Sequence, residues 1–179
     1  MSVGAALCGC PGDHIGSPLQ QPITLEPLSK FPLVRDLKVD RQEMFENLKK
    51  IKPWVPLDGT HDLGPGDRLS PLVQNKAYQL SCCISCGCCL EACPQVNIHN
   101  DFMGAPLMVQ AQLSNMRPVG DMYANERLDV LMGPGGLSEC SHAQNCVEVC
   151  PKDIPLTESI ATMQKAATGR LFKKILGIS

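Results

Sequence analysis

Apolar residues recur at helical spacing over several stretches of the chain. Over residues 41–51, Met44, Phe45, Leu48 and Ile51 fall on one face. Asp40 precedes them with Glu43 three residues on, as in a capping box, and Pro53 closes the segment. Ser70 and Pro71 stand in N-cap then N1 order and open a helix toward Leu80. Residues 106–116, 125–132 and 156–176 also read as helical, with Gly169 a point of interruption in the last, and Gly133-Pro-Gly-Gly136 breaks the chain. Residues 22–28 (PITLEPL) instead alternate, which predicts a short strand with Ile23 and Leu25 on one face. No partner strand is legible upstream, and one strand alone is not stable, so a segment further upstream or another chain must pair with it.

This pattern divides the chain into an irregular stretch rich in Gly, Pro and Ser (1–21), a strand, linker helix and Pro/Gly-punctuated loop (22–68), and a helical domain (69–179). The expected fold is mainly α, with one extended segment ahead of it. Aromatics are only 4% of the 179 residues, so the core must rest on Leu, Ile, Val, Met and Ala, with Trp54 as a further core anchor. A net charge of −2 offers no basic field for nucleic acid. No run approaches the ~18–20 apolar residues of a membrane span.

Eleven cysteines change the picture. A disulfide framework suits small secreted chains. Here Leu7-Cys8-Gly9-Cys10 only faintly resembles a lipoprotein cleavage box, with no Lys or Arg ahead of it, so thiolates held for metal in a reducing cytoplasm are the expectation. One block runs Cys83-x2-Cys86-x2-Cys89-x3-Cys93-Pro94, the bacterial ferredoxin spacing for a 4Fe–4S cluster. Three thiolates on a tight loop reach three corners of one cube, and the fourth ligates the other cluster. A second block, Cys140-x5-Cys146-x3-Cys150-Pro151, repeats the first at an offset of 57, with Ala143 where Cys86 has its counterpart.

The crossover rule then assigns Cys83, Cys86, Cys89 and Cys150 to one cluster. Cys93, Cys140 and Cys146 are left for the other. Three ligands leave one corner of a cube open, which predicts 3Fe–4S at the second site. Zinc sites close at four ligands and do not account for two related blocks. Cys82 and Cys88 lie off the register and read as small buried hydrophobes, and Cys8 and Cys10 fit neither block.

These two blocks, the second lacking its middle member, resemble the iron–sulfur subunit of succinate dehydrogenase and fumarate reductase. The resemblance extends from about Gln21 to the C-terminus and includes residues 31–41 (FPLVRDLKVDR) and 58–66 (DGTHDLGPG), which look most like the menaquinone-linked bacterial branch. It implies an α-helical ferredoxin-like domain in which Cys83, Cys86, Cys89 and Cys150 hold 4Fe–4S and Cys93, Cys140 and Cys146 hold 3Fe–4S beside the quinone. It further implies an FAD flavoprotein subunit, a membrane anchor with haem b, menaquinone, and a peripheral place on the cytoplasmic face of the membrane.

Two departures stand out. The family begins with a 2Fe–2S ferredoxin domain, and residues 1–20 do not resemble it; its ligands have no counterpart here, so the expectation is a truncated product, a misassigned start or a frameshift. The Trp and His that ubiquinone-reducing relatives place after their cysteines are replaced by Val96, Asn97 and Ile98, and by Ser141, with His142 one place later.

His142 reads either as a contact to a cluster sulfide or quinone or as a plain helix-surface histidine; His61 and His99 read as structural or solvated. Lys165, Arg170, Lys173 and Lys174, with Leu171, Phe172, Ile175 and Leu176, form a basic amphipathic tail that suits a membrane partner or docking on its own domain. Other relay subunits, of heterodisulfide-reductase-like or glycerol-phosphate-dehydrogenase-like complexes, carry two complete blocks, which Ala143 argues against. A cluster sensor would need an effector domain, and none is legible; a non-assembling fragment is the remaining alternative. No general base, nucleophile or phosphate loop is present for substrate chemistry within this chain.

Overall fold

A computed structural model describes residues 23–54 and 68–177. Seven helices are present among them: α1 (Gln42–Lys50), α2 (Pro71–Ser81), α3 (Cys88–Glu91), α4 (Ala105–Asn115), α5 (Ala124–Leu131), α6 (Asn145–Glu148) and α7 (Leu156–Ile175). The expected mainly α body is therefore present. The loop at 58–66, His61, Cys8, Cys10 and the irregular stretch 1–21 lie outside the described residues.

The core is built around α4, buried on nearly every side. Leu107, Met108, Val109 and Ala111 are sealed from water, and burying each of the first three stabilises by roughly 1.5–3 kcal/mol. The helix is apolar around its circumference because α1, α2, α5 and α7 all pack against it. Pro106 sits in its first turn, where a missing N–H leaves no bond unmade. In α7, Leu156, Ile160, Met163 and Ala167 form the stripe that faces the core, and the helix passes through Gly169 without interruption. Its last turns are held differently. Asp129 of α5 accepts from Arg170 Nε and Nη2 at 2.8 and 2.5 Å and from Lys174 Nζ at 2.6 Å. The two cations hold the Asp129 carboxyl well below the usual carboxylate range, the Arg170 hydrogen bond first.

Residues 23–28 do not form the expected strand; Ile23 and Leu25 are largely exposed, and no paired strand lies beside them among the described residues. The β structure lies further on, in a hairpin of β1 (Leu33–Arg35) and β2 (Lys38–Val39), with Leu33 opposite Val39 and Asp36 in the turn at φ +47°. Ser70 caps α2 as expected, its Oγ accepting from Val73 N at 3.4 Å. Asp40 does not make the capping box: its Oδ1 accepts from Gln42 N two residues on, and Arg41 takes the N-cap position. Along α1, Met44, Leu48 and Ile51 are buried, but Phe45 turns outward and lies under the Arg41 guanidinium. Trp54 is about half exposed, so the expected core anchor is not one.

A charge takes that role. Arg127 of α5 is 1% exposed and ties the end of α1 to the helical body. Its Nε donates to the carbonyls of Ile51 and Lys52, Nη1 to Gly120 O at 2.5 Å and Asn115 Oδ1 at 2.7 Å, and Nη2 to Lys52 and Trp54. A guanidinium has five N–H donors in a fixed fork, and all of them are used among neutral acceptors.

Candidate iron–sulfur cluster sites

The two cysteine blocks have the same backbone. Cys83 follows the end of α2, and the loop after it passes through left-handed residues at Ser85 (φ +52°) and Gly87 (φ +90°) into α3. Cys140 follows a 3-10 turn at Leu137–Glu139, and its loop passes through His142 (φ +57°) and Gln144 (φ +63°) into α6. Both left-handed pairs and both short helices recur at the offset of 57 seen in the sequence. This double reversal turns the backbone around the space into which the thiols of the loop project. His142 lies in this loop and not on a helix, and its Nε2 is 3.0 Å from Gln164 Nε2.

The surroundings of the two loops differ. The first is covered by residues ahead of α1: a Cβ on Gly87 would come within 2.9 Å of Phe31 Cζ, which, with the positive φ, explains the glycine. Arg41 Nη1 donates to Ser85 O at 2.8 Å. The Glu91 carboxylate accepts from Ser29 N, Ser29 Oγ and Lys30 N at 2.9, 2.5 and 3.0 Å. Burial acts to raise the Glu91 pKa, but these hydrogen bonds prevail and lower it. The second loop, from Ser141 to Asn145, is open to solvent. Asn145 Nδ2 joins the blocks by donating to Ala92 O at 3.1 Å.

Two cavities lie between the blocks. One, of about 410 Å³ including its mouth, is lined by Cys83, Cys86, Cys89 and Cys150, with Ile154 and Leu156 as apolar wall. The other, of about 480 Å³, is lined by Cys93, Cys140 and Cys146, with Cys89 and with Ala143. The nine cysteines among the described residues are free thiols, all half-buried. That includes Cys82 and Cys88, expected to be buried. Cys82 Sγ donates to Tyr78 O at 3.4 Å. The Cys88 thiol is pushed up by a hydrogen bond with Cys86 and then by burial.

The electrostatics link the two sets at Cys89. Burial pushes the Cys89 thiol up to about 12, with Cys83, Cys86, Cys146 and Cys150 adding to it. Burial also raises Cys146, helped by Cys93 and Cys140. Thiolates gathered this way repel one another unless a cation lies among them, and a coordinated metal supplies it. Tetrahedral Zn–S bonds of ~2.3 Å require sulfurs only ~3.8 Å apart. Among the described residues, no three His, Cys, Asp or Glu side chains converge for a single metal ion. The donors surround two cavities instead, with soft sulfur ligands and apolar walls, which fits a polynuclear iron–sulfur group.

Lys30, Arg41, Glu91, Arg127 and Gln164 escaped sequence reasoning. Each acts across many residues of sequence or from an exposed-looking position, and none belongs to a motif. The short helices after each loop could have been placed once the offset of 57 was seen.

Residues 79–154, which hold both cysteine blocks, match the family described as a 4Fe-4S dicluster domain. The chain is 52% identical over 159 residues to the succinate dehydrogenase iron-sulfur subunit of Bacillus subtilis, a match covering 89% of this chain and 63% of that protein. It is 30% identical over 145 residues to the fumarate reductase iron-sulfur subunit of Wolinella succinogenes, covering 80% of this chain and 61% of the relative. It is 31% identical over 159 residues to that of Mycobacterium tuberculosis, covering 88% and 64%. The chain is thus homologous to the iron–sulfur subunits of succinate dehydrogenases and fumarate reductases, and its matches span a little under two thirds of the length of these relatives.

Proposed function

We propose that this chain is an electron relay of a succinate:quinone oxidoreductase, passing electrons between a flavoprotein subunit and membrane quinone. Cys83, Cys86, Cys89 and Cys150 would hold a 4Fe–4S cluster, and Cys93, Cys140 and Cys146 a 3Fe–4S cluster. One observation carries this assignment: each of the two cavities is lined by every cysteine that the crossover rule assigns to one cluster, with Cys89, which lies between them, lining both. When bound, such clusters take up and release single electrons. The chain's own residues hold thiolates at fixed positions, exclude water with apolar walls, and set the local charge.

The partners in this proposal are an FAD flavoprotein, a membrane anchor with haem b, and menaquinone. The names of the relatives support the flavoprotein and the anchor as partners of such a subunit, and the linker segments at 31–41 and 58–66 support menaquinone. The resemblance also implies a 2Fe–2S centre, whose ligands have no counterpart in this sequence, to complete the path from flavin. No helix among the described residues is long and apolar enough to cross a membrane. A peripheral place on the cytoplasmic face, held by the anchor, is part of the same proposal.

The test is Ala143→Cys, which restores the fourth thiol of the second block. Iron content should rise from about seven to about eight per chain, with the oxidised 3Fe–4S EPR signal replaced by a reduced 4Fe–4S signal. An unchanged oxidised 3Fe–4S signal would overturn the ligand assignment.

A further inference from the structure

Two cations from the segment ahead of α1 reach into the cysteine loops, one into each ligand set. Lys30 is half-buried, and its Nζ donates to Leu90 O at 3.4 Å and to the carbonyl oxygen of Cys93. Arg41 is half-buried, and its Nη1 donates to Ser85 O at 2.8 Å, between Cys83 and Cys86. Neither appears in an ion pair among the described residues. The neighbouring Glu91 carboxylate is engaged by Ser29 and by the Lys30 backbone N–H.

The two cavities differ in charge. Apart from cysteines and His142, no titratable side chain lines the cavity of Cys93, Cys140 and Cys146. Lys152 lines the other. Lys30 lines neither cavity; it lies in a neighbouring pocket with Asp40 and Glu43 and reaches the second ligand set through the Cys93 carbonyl.

We infer that Lys30 and Arg41 are positioning residues that raise the reduction potentials of the two clusters, Lys30 acting chiefly on the one held by Cys93 and Arg41 on the one held by Cys83 and Cys86. The inference rests on the cluster assignment proposed above. One-electron reduction adds one negative charge at a cluster. A cation fixed on the peptide of a ligand favours that reduced state, and partial burial limits the screening. Both cations act through backbone carbonyls and need no contact with iron or sulfide.

The test uses the full chain, loaded with clusters anaerobically, with each cluster followed by EPR during titration with dithionite. Lys30→Gln should lower the potential of the 3Fe–4S centre, by about twofold more than that of the 4Fe–4S centre, since the Coulomb term falls with distance. Arg41→Gln should reverse that order. Lys30→Arg and Arg41→Lys should restore wild-type potentials, which a purely structural role would not require. Glu91→Gln should move the potentials upward by removing the opposing charge. Equal shifts at both centres, or none, in loaded Lys30→Gln would overturn the inference while leaving the cluster assignment intact. If Lys30→Gln fails to retain clusters, Glu91→Gln and Lys30→Arg carry the test: no rise in the first, or a lowered potential in the second, overturns it. A wild-type chain that binds no cluster overturns the assignment and the inference with it.

Discussion

Arg127→Met removes every donor of the buried guanidinium while keeping an unbranched apolar stem of similar length. Five acceptors lose a partner: the carbonyls of Ile51, Lys52, Trp54 and Gly120, and Asn115 Oδ1. Water reaches those of Lys52, Trp54 and Asn115, whose residues are partly or largely exposed. Ile51 O and Gly120 O belong to buried residues and are stranded. Stranding a buried acceptor costs about 1–3 kcal/mol, so the two together lose roughly 2–6 kcal/mol. The unfolded variant no longer regains the hydration of a guanidinium, which offsets part of this and leaves about 3 kcal/mol. For a chain of this size that corresponds to a fall of about 6–12 °C in the unfolding midpoint. The assay is circular dichroism on the cluster-loaded chain under anaerobic conditions. Amide exchange over α1 should rise more than over α4, because the lost bonds are those that tie α1 to the body. Arg127→Lys, with three donors in place of five, should fall between. A midpoint for Arg127→Met within about 2 °C of wild type would mean that these hydrogen bonds do not hold α1 to the body.

Gly135 has φ +73°, and a Cβ there would lie 2.2 Å from the backbone oxygen of Asp101, so Gly135→Ala should destabilise by about 3 kcal/mol, read by urea denaturation. Asp129 has its pKa depressed by Arg170 and Lys174, so its contribution is present above the unfolded value of about 3.9 and is lost as pH falls through the folded value. Asp129→Asn should therefore lower the midpoint modestly at about pH 7, less so in high salt, with the difference shrinking in acid; a difference that grows in acid would contradict the pairing.

The sequence was most legible where local chemistry acts alone. Ser70 with Pro71 set the start of α2, and Pro106 with the 133–136 break bounded α4 and α5 to within a residue or two. Spacing alone gave the cysteine blocks and their offset, and the structure adds the matching left-handed residues. What sequence could not reach depends on distant partners. Residues 23–28 alternate like a strand, yet pairing decides a strand, and none is present among the described residues. The hairpin at 33–39 has strands of three and two residues, too short for periodicity. Arg127 lies in a helix that reads as amphipathic, and only the carbonyls brought by the end of α1 make its burial tolerable. Trp54 meets the core only through its backbone carbonyl, which accepts from Arg127, while its side chain is about half exposed. For the tail, the structure docks Arg170 and Lys174 on Asp129 while leaving Leu171, Phe172 and Ile175 exposed, so both sequence readings keep part of their support.

The central claim is that two cysteine sets of unequal size hold two unequal clusters, and EPR of the anaerobically loaded chain, with iron counted per chain, tests it most directly. The expected result is an oxidised 3Fe–4S signal, a 4Fe–4S signal on reduction, and about seven irons from these two sites. Two 4Fe–4S signals with about eight irons, or a chain that binds no cluster, would contradict it.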